Sequence, residues 1–348
     1  MENYYCIGLM SGTSLDGLDI CHVQFQKEQR WTFRILHAET ITYSQSWKKR
    51  LEKAFTCDGK TLMQLHSDYG YFLGEEVRKF TEKHHIHDID IVASHGHTIF
   101  HQPSLGYTTQ IGDGRWIRLL TGFPTVYDFR TQDVMKGGNG APLVPIGDEL
   151  LFPEYDACIN LGGFSNISFK QNGKRIAFDI SPVNIVLNFL AQKLGMPYDR
   201  NGDTARKGKI DKKILSKLNV IEYYSKPFPK SLGKEWVEEC FLPEINALYP
   251  IDALATCTEH FAWQAAQVIN ACNLQKILIS GGGAMNVFLM EKIRCLTPAK
   301  IHTEERMITD FKEALIFAFM GLLRLRNENN ILSSATGSLE DHCSGILV

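Results

Sequence analysis

Along the chain, short apolar runs broken by polar, glycine-bearing turns alternate with longer stretches of helical spacing. The apolar run 4–10 leads into Ser11-Gly12-Thr13-Ser14, then Asp16-Gly17-Leu18-Asp19 and a second apolar run at 20–25. Strand, polar turn, strand is the pattern of a hairpin. Residues 31–42 alternate as a third strand, and 47–55 read as a short helix. A longer helix is predicted over 62–84, where Leu62, Leu65, Tyr69, Phe72, Leu73, Val77 and Phe80 recur near helical spacing. A buried strand at 90–93 runs into Ser94-His95-Gly96-His97-Thr98, predicted as a polar loop at the strand's carboxyl end. Strands at 108–112 and 125–129 follow.

The later part of the chain repeats the opening theme. A strand at 157–161, the turn Gly162-Gly163-Phe164-Ser165-Asn166 and a strand at 167–169 make a second hairpin. The strand 175–178 is predicted to stop at Asp179, with Ser181 as N-cap and Pro182 as first residue of a helix over 183–194. The Lys-rich run 207–217 reads as a solvated helix face. Helices are expected over 236–248 and 252–272. A strand at 276–279 enters Ser280-Gly281-Gly282-Gly283-Ala284-Met285-Asn286, and a helix begins near Val287. The apolar helix 310–323 carries Glu313. Two hairpins with small polar tips, one in each half, predict a duplicated α/β architecture that faces a nucleotide from both sides.

A length of 348 residues implies two domains. The expected division is 1–130 with the first hairpin and 131–330 with the second, residues 331–348 returning to the first domain. The net charge of −2 excludes a broad basic surface for nucleic acid. Apolar stretches such as 314–323 fall short of a membrane span, and no signal-peptide pattern stands at the start. Nine cysteines, odd in number and without a C-x-x-C pair, suit free thiols in a cytoplasm. The twelve histidines form no zinc signature. Homodimer formation is left open.

The first turn carries the clearest chemistry. Gly12 allows close backbone approach, and Thr13 and Ser14 offer donors to anionic oxygens. Asp16 and Asp19 suit a hydrated Mg²⁺, so the stretch reads either as a triphosphate cradle or as a solvated turn. His95 and His97 face a ligand or bond to nearby backbone. Arg130, in Asp128-Phe129-Arg130, holds an anionic group or an ion-pair partner. The glycines in Lys136-Gly137-Gly138-Asn139-Gly140-Ala141-Pro142 suggest an inter-domain crossing that also lines a cleft. Asp179, between a strand end and a helix N-terminus that would attract phosphate, is a candidate general base or a cap. Three adjacent glycines at 281–283 let a base and ribose lie against bare backbone, although neither a Walker A loop nor G-x-G-x-x-G occurs. Glu313 needs a partner if buried, or is simply exposed.

In this order the blocks resemble one family, the anhydro-N-acetylmuramic acid kinases of the actin and hexokinase superfamily. The resemblance rests on the block from Gly8 through Asp19, on Ser94-His95-Gly96, Asp128-Phe129-Arg130, Gly137-Gly138-Asn139-Gly140-Ala141-Pro142, Asn160-Leu161-Gly162-Gly163, Phe178-Asp179, Gly281-Gly282-Gly283-Ala284, Glu313-Ala314 and Thr336-Gly337. The chain departs from the family at Ile180-Ser181-Pro182-Val183-Asn184, where Thr-Gly-Pro-Gly-Asn is usual, and at His97 and Asn139, where Gln is usual.

The resemblance implies a two-domain actin/hexokinase-like ATPase fold with an interdomain cleft. It implies ATP and Mg²⁺ as cofactors and a small anhydro amino sugar as substrate. Gly12, Thr13, Ser14, Leu15, Asp16, Gly17, Leu18, Asp19, Gly162, Gly163, Gly281, Gly282 and Gly283 would hold the nucleotide, with Asp16 and Asp19 also serving the metal. His95, Arg130 and Glu313 would hold the sugar. Asp179 would activate a water that attacks C1 of 1,6-anhydro-N-acetylmuramic acid while O6 takes the γ-phosphoryl group. A kinase of another small sugar and a weakly catalytic ATP-dependent sugar sensor are the alternatives.

Overall fold

The first apolar run forms β1, Glu2–Ser11, which pairs antiparallel with β2, Gly17–Lys27, placing Leu9 opposite Ile20. The computed structural model describes residues 2–12 and 15–348; Thr13 and Ser14, in the turn between these strands, lie outside the described residues. β3, Trp31–Thr42, continues the antiparallel meander beside β2. The chain then crosses through the helix Gly59–Lys83, whose N-cap Asp58 accepts the Thr61 amide at 3.0 Å. It returns as β4, Ile91–Gln102, parallel to β1. β5, Tyr107–Ile111, pairs with β4, and β6, Thr125–Tyr127, lies parallel on β4's other side.

A second sheet follows. β7, Ala157–Leu161, β8, Phe164–Gln171, and β9, Lys174–Pro182, form an antiparallel meander. β10, Lys276–Ser280, and β11, Lys300–His302, add in parallel on the other side of β7. β12, Ile346–Leu347, returns to the first sheet and pairs with β6. The sheet orders are β12-β6-β4-β1-β2-β3 and β11-β10-β7-β8-β9. In both, three consecutive antiparallel strands are followed by two parallel ones on the far side of the first. The duplication expected from the two hairpins is therefore present in the strand order itself.

The chain divides into two units. One holds the residues up to Phe152 together with Phe311–Val348; the other is Pro153–Asp310. The expected division at 130/131 and return at 331 differ from this. Residues 131–152 are tied into the first unit by buried polar pairs: Asp133 accepts the Gly140 amide and the Thr336 hydroxyl, both at 2.7 Å, and Asp148 pairs with Lys312 at 2.6 Å. The glycines of 137–140 thus wrap the fully buried Asp133 inside the first unit and form no crossing between domains.

Each unit has its own core. In the first, Ile7, Leu9, Leu18 and Ile20 from the hairpin pack with Leu65, Tyr69, Leu73 and Val77 of the long helix. Beneath the sheet's other face runs the helix Arg306–Leu325. A Cβ on Gly8 would stand 1.9 Å from the Ala314 carbonyl oxygen, so only glycine lets this helix lie against β1. In the second unit, Ile159, Ile167, Phe178 and Ile180 pack with Leu254, Phe261 and Ile277.

Three local expectations are corrected. Ser94-His95-Gly96-His97-Thr98 is part of β4, because the ladder to β1 continues through an irregularity to Ser11 opposite His97. The second hairpin turn is shorter than expected, since Phe164, Ser165 and Asn166 already pair in β8. β9 runs through Asp179 to Pro182, and the next helix is Asn184–Gln192 with Val183 at the N-cap. Ser181 and Pro182 pair with Ser165 and Phe164, which draws both into the strand.

Candidate active site

The first unit gathers four of the predicted residues. His95 is carried by β4 and is buried against the Phe317 ring, 4.7 Å between centroids. Arg130 follows β6, one step beyond Asp128-Phe129, where Asp128 takes a left-handed backbone (φ 55°). Arg130 donates through Nε to His95 Nε2 at 2.9 Å and through Nη1 to the Gly140 carbonyl. Burial lowers the Arg130 pKa to about 10, with Glu313 and Asp133 opposing, so the guanidinium stays charged at neutral pH. Glu313 lies one turn before Phe317 on its helix. Burial raises its carboxyl, the Arg130 charge opposes, and Asp19 adds to the rise. Asp19, His95, Arg130 and Glu313 therefore form one electrostatic cluster.

The hairpin tip stands at this cluster's edge. Leu15 has a left-handed backbone (φ 58°), and its amide donates to the Gly12 carbonyl at 3.4 Å. Asp16 is exposed, Gly17 opens β2, and the Leu18 side chain is buried in the core. Asp19 accepts the Thr40 hydroxyl at 2.6 Å. Sequence reasoning missed the polar chain beside the tip. Ser11 Oγ lies 2.8 Å from His97 Nδ1 and 2.7 Å from the Tyr43 hydroxyl, which meets Tyr69 at 2.5 Å. Burial lowers the His97 pKa to about 4, so it is a neutral member of this chain. A Ser-Tyr-Tyr-His chain drawn from four separate stretches of sequence leaves no local spacing signal.

In the second unit the two glycine clusters meet. Gly281 has φ 82°, and a Cβ there would stand 2.3 Å from Asn160 Oδ1. Gly283 is buried against Leu161, whereas Gly163 and Gly282 are exposed. The amides of Val183, Asn184 and Ile185 donate to the Gly162 and Gly163 carbonyls at 2.8–3.2 Å. The N-terminus of the Asn184–Gln192 helix is thus closed by the hairpin, and the expected phosphate attraction at that end does not apply. The replaced glycines are accommodated: Ser181 Oγ meets Ser165 Oγ at 3.0 Å, and Val183 is buried.

Asp179 stands in β9 where the ladder to β8 shifts: Asn166 faces Asp179, Ser165 faces Ser181, and Ile180 is the extra residue. Such bulges re-aim a side chain. Oδ2 of Asp179 accepts the Leu232 amide at 2.9 Å. Burial raises its pKa to about 6, with the Leu232 bond opposing. Its carboxylate bonds no amide of the Asn184–Gln192 helix in the described contacts, which removes the capping alternative.

The repeated five-strand order, with a hairpin in each sheet, defines a duplicated α/β protein of actin- and hexokinase-like topology. It matches the family model described as Anhydro-N-acetylmuramic acid kinase over residues 4–348, and it belongs to that family. It is 32% identical to the anhydro-N-acetylmuramic acid kinase of Pasteurella multocida (strain Pm70), covering 96% of this chain and 94% of the relative. The enzyme of the same name from Gloeobacter violaceus is 33% identical with 97% of each chain covered, and that of Clostridioides difficile 33%, with 96% and 95% covered.

Proposed function

We propose that Asp179 is the general base of an ATP-dependent phosphotransferase that opens the 1,6-anhydro ring of 1,6-anhydro-N-acetylmuramic acid and phosphorylates O6. Family membership supports the reaction, and the half-buried, re-aimed carboxylate at the β9 bulge is the observation that carries the assignment. Water bonds to C1 and gives its proton to Asp179. The C1–O6 bond breaks with its electron pair on O6, O6 bonds to the γ-phosphorus of ATP, and ADP leaves. A carboxyl pKa near 6 suits a base that must be ionised at neutral pH yet still take a proton.

Arg130 and Glu313 are proposed to orient the sugar, with His95 holding Arg130 in place. The glycines of 162–163 and 281–283, of which Gly163 and Gly282 are exposed, are proposed to lie against the nucleotide. Among the described residues no group of three or more His, Cys, Asp or Glu is arranged to hold a metal ion. Mg²⁺ takes one or two carboxylates and keeps its waters. Exposed Asp16, with Asp19 on the same hairpin, fits in donor type. Bound there, Mg²⁺ would neutralise phosphate charge. No described helix is long and apolar enough to cross a membrane. A cytoplasmic location is part of the reading, supported by nine free cysteines.

The test is turnover in ¹⁸O water with ATP, Mg²⁺ and the anhydro-sugar. Label at C1 and phosphate at O6 are expected, and Asp179→Asn should lose ~10²-fold or more in kcat while still binding ATP. Near-normal turnover by that variant, with unchanged Tm, sinks the base assignment.

A further inference from the structure

We propose that residues 223–232 form a positioning strap for Asp179, which holds its backbone and one oxygen of its carboxylate. β9 is the last strand of its sheet, so its outer edge needs partners from outside the ladder. The strap supplies them at Asp179. The Asp179 amide donates to the Lys230 carbonyl at 3.1 Å, and the Tyr223 hydroxyl donates to the Asp179 carbonyl at 2.6 Å. The Leu232 amide then takes Oδ2 at 2.9 Å. Backbone and carboxylate of one residue are thus gripped at three points by a single segment.

The strap is closed on itself. Lys230 Nζ donates to the carbonyls of Tyr223 and Tyr224, both at 3.1 Å, which joins its two ends. Phe228 stacks on Phe178, the residue before Asp179, with centroids 5.2 Å apart and planes within 2°. Lys230 also stands over the Phe178 and Tyr223 rings. The Leu232 amide favours the ionised form of the carboxylate, and the Phe228–Phe178 stack anchors the strap to the strand that carries it. The titratable neighbours do not interfere. Burial holds the Tyr223 phenol protonated far above neutrality, and the Lys230 ammonium is turned to carbonyl oxygens.

The role as an aid to catalysis rests on Asp179 being the base; the grip itself does not. Two variants on the strap test the grip. Leu232→Pro removes the amide donor and is expected to move the acid limb of kcat/KM up by about 0.5–1 pH unit. Phe228→Ala loosens the anchor on Phe178 and is expected to move it in the same direction by a smaller amount. The Asp179 carboxyl, followed by ¹³C NMR in the full chain, should titrate with the same upward shifts, whether or not the reaction depends on it. If Leu232→Pro does not fold, the Phe228→Ala titration decides alone. A lowered Tm with neither limb nor titration moved would overturn the proposal, leaving the strap a structural cover. Carboxyl shifts in both strap variants beside an active Asp179→Asn enzyme would uphold the grip while removing the base reading.

Discussion

Arg130 donates its Nε proton to Nε2 of His95 at 2.9 Å, which obliges His95 to carry its own proton on Nδ1, 3.0 Å from the Gly96 carbonyl. Burial, and then the Arg130 charge, holds the His95 pKa well below the ordinary value. The expected outcome in ¹⁵N NMR is a His95 that stays neutral and Nδ1-protonated below the ordinary His value. The sign for stability follows. The unfolded chain takes up a proton near the ordinary His value of about 6.5, whereas the folded site does not. His95 therefore costs no stability above that value and a growing amount below it. An imidazolium signal from the folded protein at pH 6 would rule out the Arg130–His95 hydrogen bond, since Nε2 would then carry a proton of its own.

Arg130→Lys keeps the charge but loses the planar fork that reaches His95 and Gly140 at once. With that hold on His95 and Gly140 lost, the sugar KM should rise about tenfold or more and the ATP KM much less. The measurement is a two-substrate steady-state series. Equal rises in both KM values would assign Arg130 to the stability of its unit instead.

The strands and helices were legible because their periodicity is local. Leu62 to Phe80 could be counted onto one helix face, and the two hairpins announced a repeat that the sheets contain. The errors arose where pairing outweighed residue preference. Ser94 to Thr98 reads as a polar loop, yet Ser11 and Ile111 hold it in the ladder. Ser181-Pro182 has the composition of a helix start, yet Ser165 and Phe164 hold it in β9. Asp179 could be singled out from its setting, but not what holds it. Its partners, Tyr223 and Leu232, come from a Pro- and Phe-containing stretch distant in sequence, with no motif of its own.

Gly281 and Gly163 should respond differently to alanine. At Gly281 the left-handed backbone and the nearby Asn160 oxygen both resist a Cβ, so Gly281→Ala should cost about 1–3 kcal/mol in urea unfolding. Gly163 has open space around its Cβ position, so Gly163→Ala should leave stability within about 0.5 kcal/mol. If the exposed backbone there meets the nucleotide, the same variant raises the ATP KM. An unaltered ATP KM would remove Gly163 from the nucleotide site.

Asp16 is exposed, and Asp16→Asn should leave Tm unchanged. Its proposed task in the metal's coordination predicts that the Mg²⁺ concentration for half-maximal activity rises about tenfold or more. Mg²⁺ titration of the variant is the check, and an unshifted curve would take Asp16 out of the metal site.

The pairing of β12 with β6, together with the Ser344 hydroxyl bond to the Phe129 carbonyl at 2.8 Å, has a consequence for biosynthesis. A ribosome delivers Pro153–Asp310, one uninterrupted stretch holding five mutually paired strands, before it delivers the final residues that the earlier sheet requires. Domains emerging from translation ordinarily fold from the N-terminus onward. Here the nascent chain must keep its opening hairpin and the face around Gly8 waiting while a later segment folds. Ala314 and its helix arrive only near the end of synthesis, so the residues translated first are the ones that remain longest in need of protection from aggregation.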